Sequence, residues 1–307
     1  MALIQTPFVS AEEIDSLCTY EKIIDNQRQV FKNFFLNEAV MGPRAILAQN
    51  ENAQFSYIAR ASKEGPTIVK FGTVVPSNSN RSIPVVQTMV SVIDAQTGSV
   101  KLFLDGESVT KWRTVSASMA AASELSNQVK RIAVVGLGHQ GQAHLRAAQS
   151  IFHPEKIYGV SNVDIDIDFG FDVEVTKDIS VIGNCDLVFL CTNSIEPVIN
   201  MNLSPGTTCI SIGSFAPNRQ EVSAPVLALA DKVFGDDAKT ISEQSGSVVM
   251  ALGLADRKWS EVESIGALYA GKTSGRDNKD QVIYYFSVGL GIQDAALAEF
   301  ILKNGKF

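Results

Sequence analysis

The chain has 307 residues, 45% of them hydrophobic and 19% charged, with a formal net charge of −7. That length suits two domains with separate cores, and the negative balance excludes the basic stripe on which nucleic-acid binding and attraction to anionic lipid depend. No apolar run approaches the roughly 18 residues that would span a bilayer, and the N-terminus lacks the basic start and apolar stretch of a secretory leader, so a cytoplasmic enzyme is expected. Cys18, Cys185, Cys191 and Cys209 show no CxxC spacing, and His139, His144 and His153 never pair at i,i+4. They read as buried small residues and isolated imidazoles rather than metal ligands.

In chain order, Ser10-Ala11-Glu12-Glu13 has the pattern of a capping box and predicts a helix start. Ile23, Ile24, Val30, Phe31, Phe34 and Phe35 then recur on one face of a second helix. QFSYIAR, TIVKFGTVV, IPVVQTMVSVID and SVKLFL are rich in β-branched residues and broken by turn formers, which predicts an antiparallel or mixed sheet. Ala95-Gln96-Thr97-Gly98 joins the last two as a hairpin-like connection. Residues 108–126 predict an Ala/Ser-rich helix leading out of this region. From residue 130 the apolar runs RIAVVGLG, KIYGVSN, CDLVFLCT, TTCISIG and DKVFGDD alternate with helical stretches, the pattern of a parallel sheet covered on both faces. The stretch 282–304 predicts helix, interrupted at Gly289-Leu290-Gly291.

Gly136-Leu137-Gly138-His139-Gln140-Gly141 fits G-x-G-x-x-G, and it lies where that string has meaning, between a strand and a helix with another strand beyond. Gly136 permits a tight turn, Gly138 admits a pyrophosphate to the backbone, and Gly141 lets helix and strand pack closely. An acid at the end of the next strand would select NAD through the ribose 2′-hydroxyl. Val160-Ser161-Asn162 stands there instead. Ser161 offers no charge to repel a 2′-phosphate, Asp164 lies close by, and no Arg or Lys appears nearby to embrace the phosphate. The expectation is NADPH, with NADH also usable.

Three cations mark the N-terminal half. Lys70 shares a strand face with Ile68, Gly72 and Val74, where an ammonium needs a partner to offset its desolvation. Arg113 sits in a helix of small residues, and Arg44 follows Gly42-Pro43. Singly, each reads as a structural or surface charge as readily as a ligand.

Together, the order Pro43-Arg44, Val69-Lys70, Pro76-Ser77-Asn78, Asp94 to Thr97-Gly98, Thr110, Arg113-Thr114 and the glycine motif resembles the ornithine cyclodeaminase/mu-crystallin family. Thr192, Ser211-Ile212-Gly213, Gly275-Arg276 and Gly291-Ile292-Gln293-Asp294 continue the resemblance over nearly the whole chain. It implies an α/β protein: a Rossmann domain with a doubly wound parallel sheet over 119–291, and an α+β substrate-binding and dimerisation domain over 1–118, completed by 292–307. It also implies a homodimer. By the same resemblance Arg44, Lys70 and Arg113 hold a substrate carboxylate, while Thr114, His139, Gln140, Thr192 and Ser287 join Gly136, Gly138, Gly141 and Ser161 around the cofactor.

One departure narrows the chemistry. Cyclodeaminases of the family carry an acid where Gly213-Ser214-Phe215 places Phe215. Phenylalanine cannot move a proton, but a protonated cyclic imine needs only orientation and a hydride. The resemblance therefore points to a ketimine reductase that converts Δ1-pyrroline-2-carboxylate to proline and also takes Δ1-piperideine-2-carboxylate, with Lys70 and Arg113 as the catalytic grip and Phe215 as a wall. The alternatives within it are a cyclodeaminase, an amino-acid dehydrogenase and a non-catalytic NADPH-binding protein.

Overall fold

The computed structural model describes residues 6–81 and 83–307. They form two compact units, one running to Thr114 and resuming at Leu290–Phe307, the other Val115–Gly289. These limits fall a few residues from the expected 118/119 and 291/292.

The first unit begins with β1 (Phe8–Val9), α1 (Ala11–Leu17) and α2 (Tyr20–Phe35). Ser10 caps α1 in a full capping box: its hydroxyl accepts from the Glu13 N–H, and the Glu13 carboxylate accepts from the Ser10 N–H. Ile23, Ile24, Val30 and Phe31 are buried along α2, each burial contributing about 1.5–3 kcal/mol. The expected apolar face stops there. Phe35 is exposed because it ends the helix, where the Leu36 N–H closes the last turn on the Lys32 carbonyl.

A seven-stranded mixed sheet follows, from β2 (Val40–Met41), β3 (Ala45–Gln49), β4 (Asn52–Arg60), β5 (Thr67–Val74), β6 (Val86–Ile93) and β7 (Val100–Asp105), in the order β1-β7-β6-β5-β4-β2 with β3 also on β4. The β6–β7 turn is held by Asp94, whose carboxylate accepts from the N–H groups of Gln96 and Thr97. The last helix of the chain, α9 (Gly291–Asn304), lies across β4, β5 and β6, with α2 packed on it. The register Ile58↔Val69 and Ser56↔Phe71 on β4–β5, with Leu47↔Gln54 on β3–β4, aligns the opposite face. There Leu47 is 70%, Ile58 53% and Phe71 45% exposed.

α3 (Gly106–Leu125) leads to the second unit: β8 (Arg131–Val135), α4 (His139–Phe152), β9 (Lys156–Val160), β10 (Glu174–Thr176), β11 (Leu187–Leu190), β12 (Thr208–Ser211), α5 (Ala224–Ala228), β13 (Lys232–Gly235), α6 (Ala238–Gln244), α7 (Gly246–Leu252), β14 (Val262–Ser264), α8 (Ile265–Tyr269) and β15 (Ile283–Phe286). Its eight strands are all parallel, in the order β10-β9-β8-β11-β12-β15-β13-β14. The order reverses between β8 and β11, which makes the carboxyl ends there the ligand-binding crevice of such sheets. The helix expected from residue 282 is corrected in its first part: Ile283–Phe286 is a strand between β12 and β13, buried on both faces. A four-residue apolar run carries no periodicity that separates strand from helix, and its paired neighbours come from 51 and 75 residues earlier. Among the described residues no helix is long and apolar enough to cross a membrane.

Candidate active site

The first unit holds a buried ionic cluster. Strand alternation on β5 turns Lys70 to the face under α9, where it is 2% exposed. Its Nζ lies 2.7 Å from Asp294 Oδ1 and 2.5 Å from Thr110 Oγ1, and the Tyr57 hydroxyl donates to Asp294 Oδ2 at 2.8 Å. Asp294 comes from the first turn of α9, and this closeness of helix to sheet depends on Gly291, since a Cβ there would meet the Tyr57 ring at 2.8 Å. From α3, Arg113 places Nε 3.8 Å from Asp294 Oδ1, within ionic attraction but beyond a hydrogen bond, and donates through one terminal nitrogen to Gln293 Oε1 at 3.3 Å. Arg113 Nε is thereby buried without a hydrogen-bond partner. The exposed Arg44 lies with its guanidinium 5.4 Å from the Tyr57 ring centre.

A buried ammonium and a partly buried guanidinium thus share one carboxylate. Burial pushes Asp294 up, but the Lys70 ammonium and the Arg113 guanidinium outweigh it and hold the carboxyl below its ordinary range. Burial pulls Lys70 down, against the attraction of Asp294. Burial, then the Asp294 charge, raises Tyr57 well above the usual phenol value, so it keeps its proton. The excess positive charge with an unsatisfied guanidinium donor is an arrangement that a small carboxylate completes. Lys70 is the buried strand cation foreseen from sequence, but its partner was not assigned. The signal was one acid in the otherwise uncharged first turns of α9, where Ile292, Ala295 and Ala298 are all buried.

In the second unit the glycine motif turns between β8 and α4. Gly136 has φ +88°, a Cβ on Gly141 would collide with the Gly136 carbonyl, and space is open above Gly138. Gly138 caps α4 without a side chain to engage the first N–H groups, leaving an anion-receptive helix start. His139 opens the helix at the surface, and Gln140 Oε1 is buried without a partner. Thr114 Oγ1, at the end of the first unit, is likewise buried and unpartnered. Within the second unit, the open backbone over Gly138 and the waiting Gln140 oxygen fit a dinucleotide.

The carboxyl ends of the central strands are tied by two acids that sequence reading passed over. Glu221, fully buried, accepts at 2.7 Å from Thr192 N–H and Oγ1 on one oxygen and from Ser211 Oγ and Gly213 N–H on the other. It locks the residues after β11 to those after β12 and fixes the Thr192 hydroxyl. Asp236, after β13, accepts from Ser287 Oγ and the N–H groups of Val288 and Gly289 at 2.9–3.0 Å. Ser287 is therefore a latch for the segment after β15. Burial raises Glu221 above its ordinary range and Asp236 to about 6, against the pull of these donors. Phe215 belongs to this unit, 42% exposed, with the Arg219 guanidinium 4.9 Å from its ring centre.

Ser161 follows β9 and is buried, its hydroxyl donating to the Val163 carbonyl and accepting from the Val163 N–H. The expectation that no cation stands near is corrected: β10 pairs Thr176 with Val160, so Lys177 lies beside Ser161, and its Nζ is 2.8 Å from Asp164 Oδ1. Sixteen positions separate Lys177 from Ser161, and only strand pairing brings them together.

The family model for the ornithine cyclodeaminase/mu-crystallin family matches residues 5–306. Δ1-Pyrroline-2-carboxylate reductase of Bacillus cereus is 24% identical, over 96% of this chain and 95% of its own length. Alanine dehydrogenase of Archaeoglobus fulgidus is 25% identical over 98% and 95%. The structure of Thermococcus litoralis Δ1-pyrroline-2-carboxylate reductase in complex with NADH and L-proline has the same fold, with a TM-score of 0.86 at 20% identity, covering 97% of this chain and 96% of that one. With a family match across nearly its whole length, and a glycine turn and strand order of the kind that binds dinucleotides, this chain belongs to the ornithine cyclodeaminase/mu-crystallin family.

Proposed function

We propose that the protein reduces Δ1-pyrroline-2-carboxylate to L-proline, and Δ1-piperideine-2-carboxylate to L-pipecolate, with NADPH preferred and NADH also used. The observation that carries this reading is the buried cluster in which Lys70 and Arg113 share the single carboxylate of Asp294. Arg113, 13% exposed at its side chain and with Nε unsatisfied, takes the substrate carboxylate, helped by Lys70 and by Arg44 at the surface. Asp294 keeps Lys70 charged and fixed, so the grip is preorganised. A bound reduced nicotinamide would supply the hydride for the imine carbon. Thr192 and Ser287, set by Glu221 and Asp236, and Gly136, Gly138, Gly141, His139, Gln140, Thr114 and Ser161 hold the cofactor. A cyclic imine that arrives protonated needs no acid, which agrees with Phe215 at a position where cyclodeaminases require one. The B. cereus and T. litoralis reductases support the substrate class by name.

We assign the first unit to substrate binding and dimerisation, as a homodimer in the cytoplasm. The exposed row Leu47, Ile58 and Phe71 on that sheet face supports the dimerisation alone, because a soluble monomer rarely leaves such a row open. The test is oxidation of NADPH and NADH with five- and six-membered cyclic imino acids, followed by nicotinamide absorbance. Turnover on the imines with proline or pipecolate as product is expected. Ammonia release from ornithine without net cofactor consumption would instead identify a cyclodeaminase, and dehydrogenation of alanine without imine turnover an amino-acid dehydrogenase.

A further inference from the structure

We propose that Lys177 selects for a 2′-phosphate on the adenosine ribose of the dinucleotide, and that Asp164 holds its ammonium in place until the phosphate displaces it. The inference rests on the dinucleotide reading of the glycine turn and goes beyond it by naming the cation that sequence order hides. In parallel sheets of this kind the residue ending the strand after the glycine turn meets the ribose. Here that strand is β9, which lies beside β8 and ends at Val160. β10 runs parallel to it, and the Ser161 N–H donates to the Thr176 carbonyl at 3.0 Å. Lys177, the first residue past β10, is therefore fixed at the level of Ser161 by backbone pairing rather than by its own side chain.

The acid arrives by a local device. The Ser161 hydroxyl engages both the N–H and the carbonyl of Val163, and the turn so formed carries Asp164 to Lys177. The loop is tied to α4 at its far end, where the Arg146 guanidinium lies 5.8 Å from the Phe169 ring centre. Lys177 and Asp164 are 60% and 94% exposed at their side chains, so solvent screens the pair and it contributes little to stability. A phosphate dianion with three acceptor oxygens is a stronger partner for an ammonium than one solvated carboxylate. Other acids close along the chain limit the gain. Asp166 and Asp168 follow in the same loop and oppose a dianion, while Asp178 caps the next turn through the Ser180 N–H. One lysine against these acids predicts a preference of about tenfold rather than of thousands.

The experiment uses the full chain and its K177Q and D164N variants, titrated with NADPH and with NADH by nicotinamide fluorescence at low and high salt. K177Q is expected to weaken NADPH about tenfold and leave NADH within about twofold. D164N is expected to tighten NADPH several-fold by removing the competitor, and both effects should shrink at high salt. A K177Q variant that loses both dinucleotides equally, or neither, overturns the proposal, as does a D164N variant that weakens NADPH. A wild-type chain that binds neither dinucleotide overturns the reading of the glycine turn itself, and is recognised before any variant is compared.

Discussion

Each unit buries carboxylates, and the two units treat them in opposite ways. In the first, Asp294 sits among cations: the Lys70 ammonium at 2.7 Å and the Arg113 guanidinium at 3.8 Å hold it ionised and below its ordinary range. In the second, Glu221 and Asp236 are surrounded by neutral donors, backbone N–H groups and hydroxyls, and burial wins, so both are raised. The contrast separates two uses of a buried acid. Where cations outnumber the acid, the remainder of their charge faces outward and can bind an anion. Where only N–H and O–H groups converge, no net cation is left over, and the acid ties strand ends into the frame that carries the proposed cofactor residues.

The largest expected effect is at Asp294. Asp294→Ala leaves the buried Lys70 ammonium and the partly buried Arg113 guanidinium without their carboxylate and should lower stability by about 3–5 kcal/mol, the usual consequence of breaking a buried pair from one side. Chemical denaturation measures it. A loss under 1 kcal/mol, roughly what an exposed pair contributes, would mean that the cluster is solvated and the contrast false.

Next comes Arg113, whose unsatisfied Nε is read as waiting for substrate. Arg113→Ala should cost about 2–4 kcal/mol in kcat/KM with the imine, while NADPH affinity stays near wild type because the glycine turn is untouched. Lys70→Met, which keeps the stem and removes the charge, should lower kcat/KM in protein that still folds. Near-normal kcat/KM in folded, cofactor-binding Arg113→Ala would remove that residue from the grip.

A third change probes the neutral-donor acids. Glu221→Gln sets an amide against donors from Thr192 and Gly213 and should cost roughly 1–3 kcal/mol of stability, the price of a buried donor left unmatched. Dinucleotide binding should weaken with it, since Thr192 is no longer fixed. Stability loss with unchanged dinucleotide affinity would confine Glu221 to the frame alone.

The smallest effect is one of pH. Asp236 binds its proton more tightly folded, at about 6, than at its ordinary 3.8. Folding therefore takes up a proton between those values, and stability from this group is greatest at low pH and is lost as pH rises through 6. The loss between about pH 5 and pH 7 should be on the order of 1 kcal/mol. Asp236→Asn should remove that slope from the difference between variant and wild type, and an unchanged slope would assign the titration elsewhere.

Phe215 marks a limit of the contrast, since it supplies neither charge nor donor. If Phe215 is the wall proposed above, Phe215→Asp should not raise imine turnover, because a carboxylate there would repel the substrate's own. A several-fold rise would mean that an acid is needed after all.

What the sequence determined by itself is what depends on near neighbours along the chain. The capping box at Ser10, the Asp94 turn and the glycine turn from Gly136 to Gly141 are contacts within a few residues, and their residue types state their geometry. The need of Lys70 for a partner was legible too, since an ammonium on an apolar strand face cannot stand alone. The partner's identity was decided by packing α9 onto β5, which joins residues 224 positions apart. Tertiary structure likewise decided that Ile283–Phe286 is a central strand, because an apolar run with no period takes its form from the strands on either side. Lys177 met Ser161 for the same reason: in a parallel sheet the register between strands, not distance along the chain, determines which side chains share a corner.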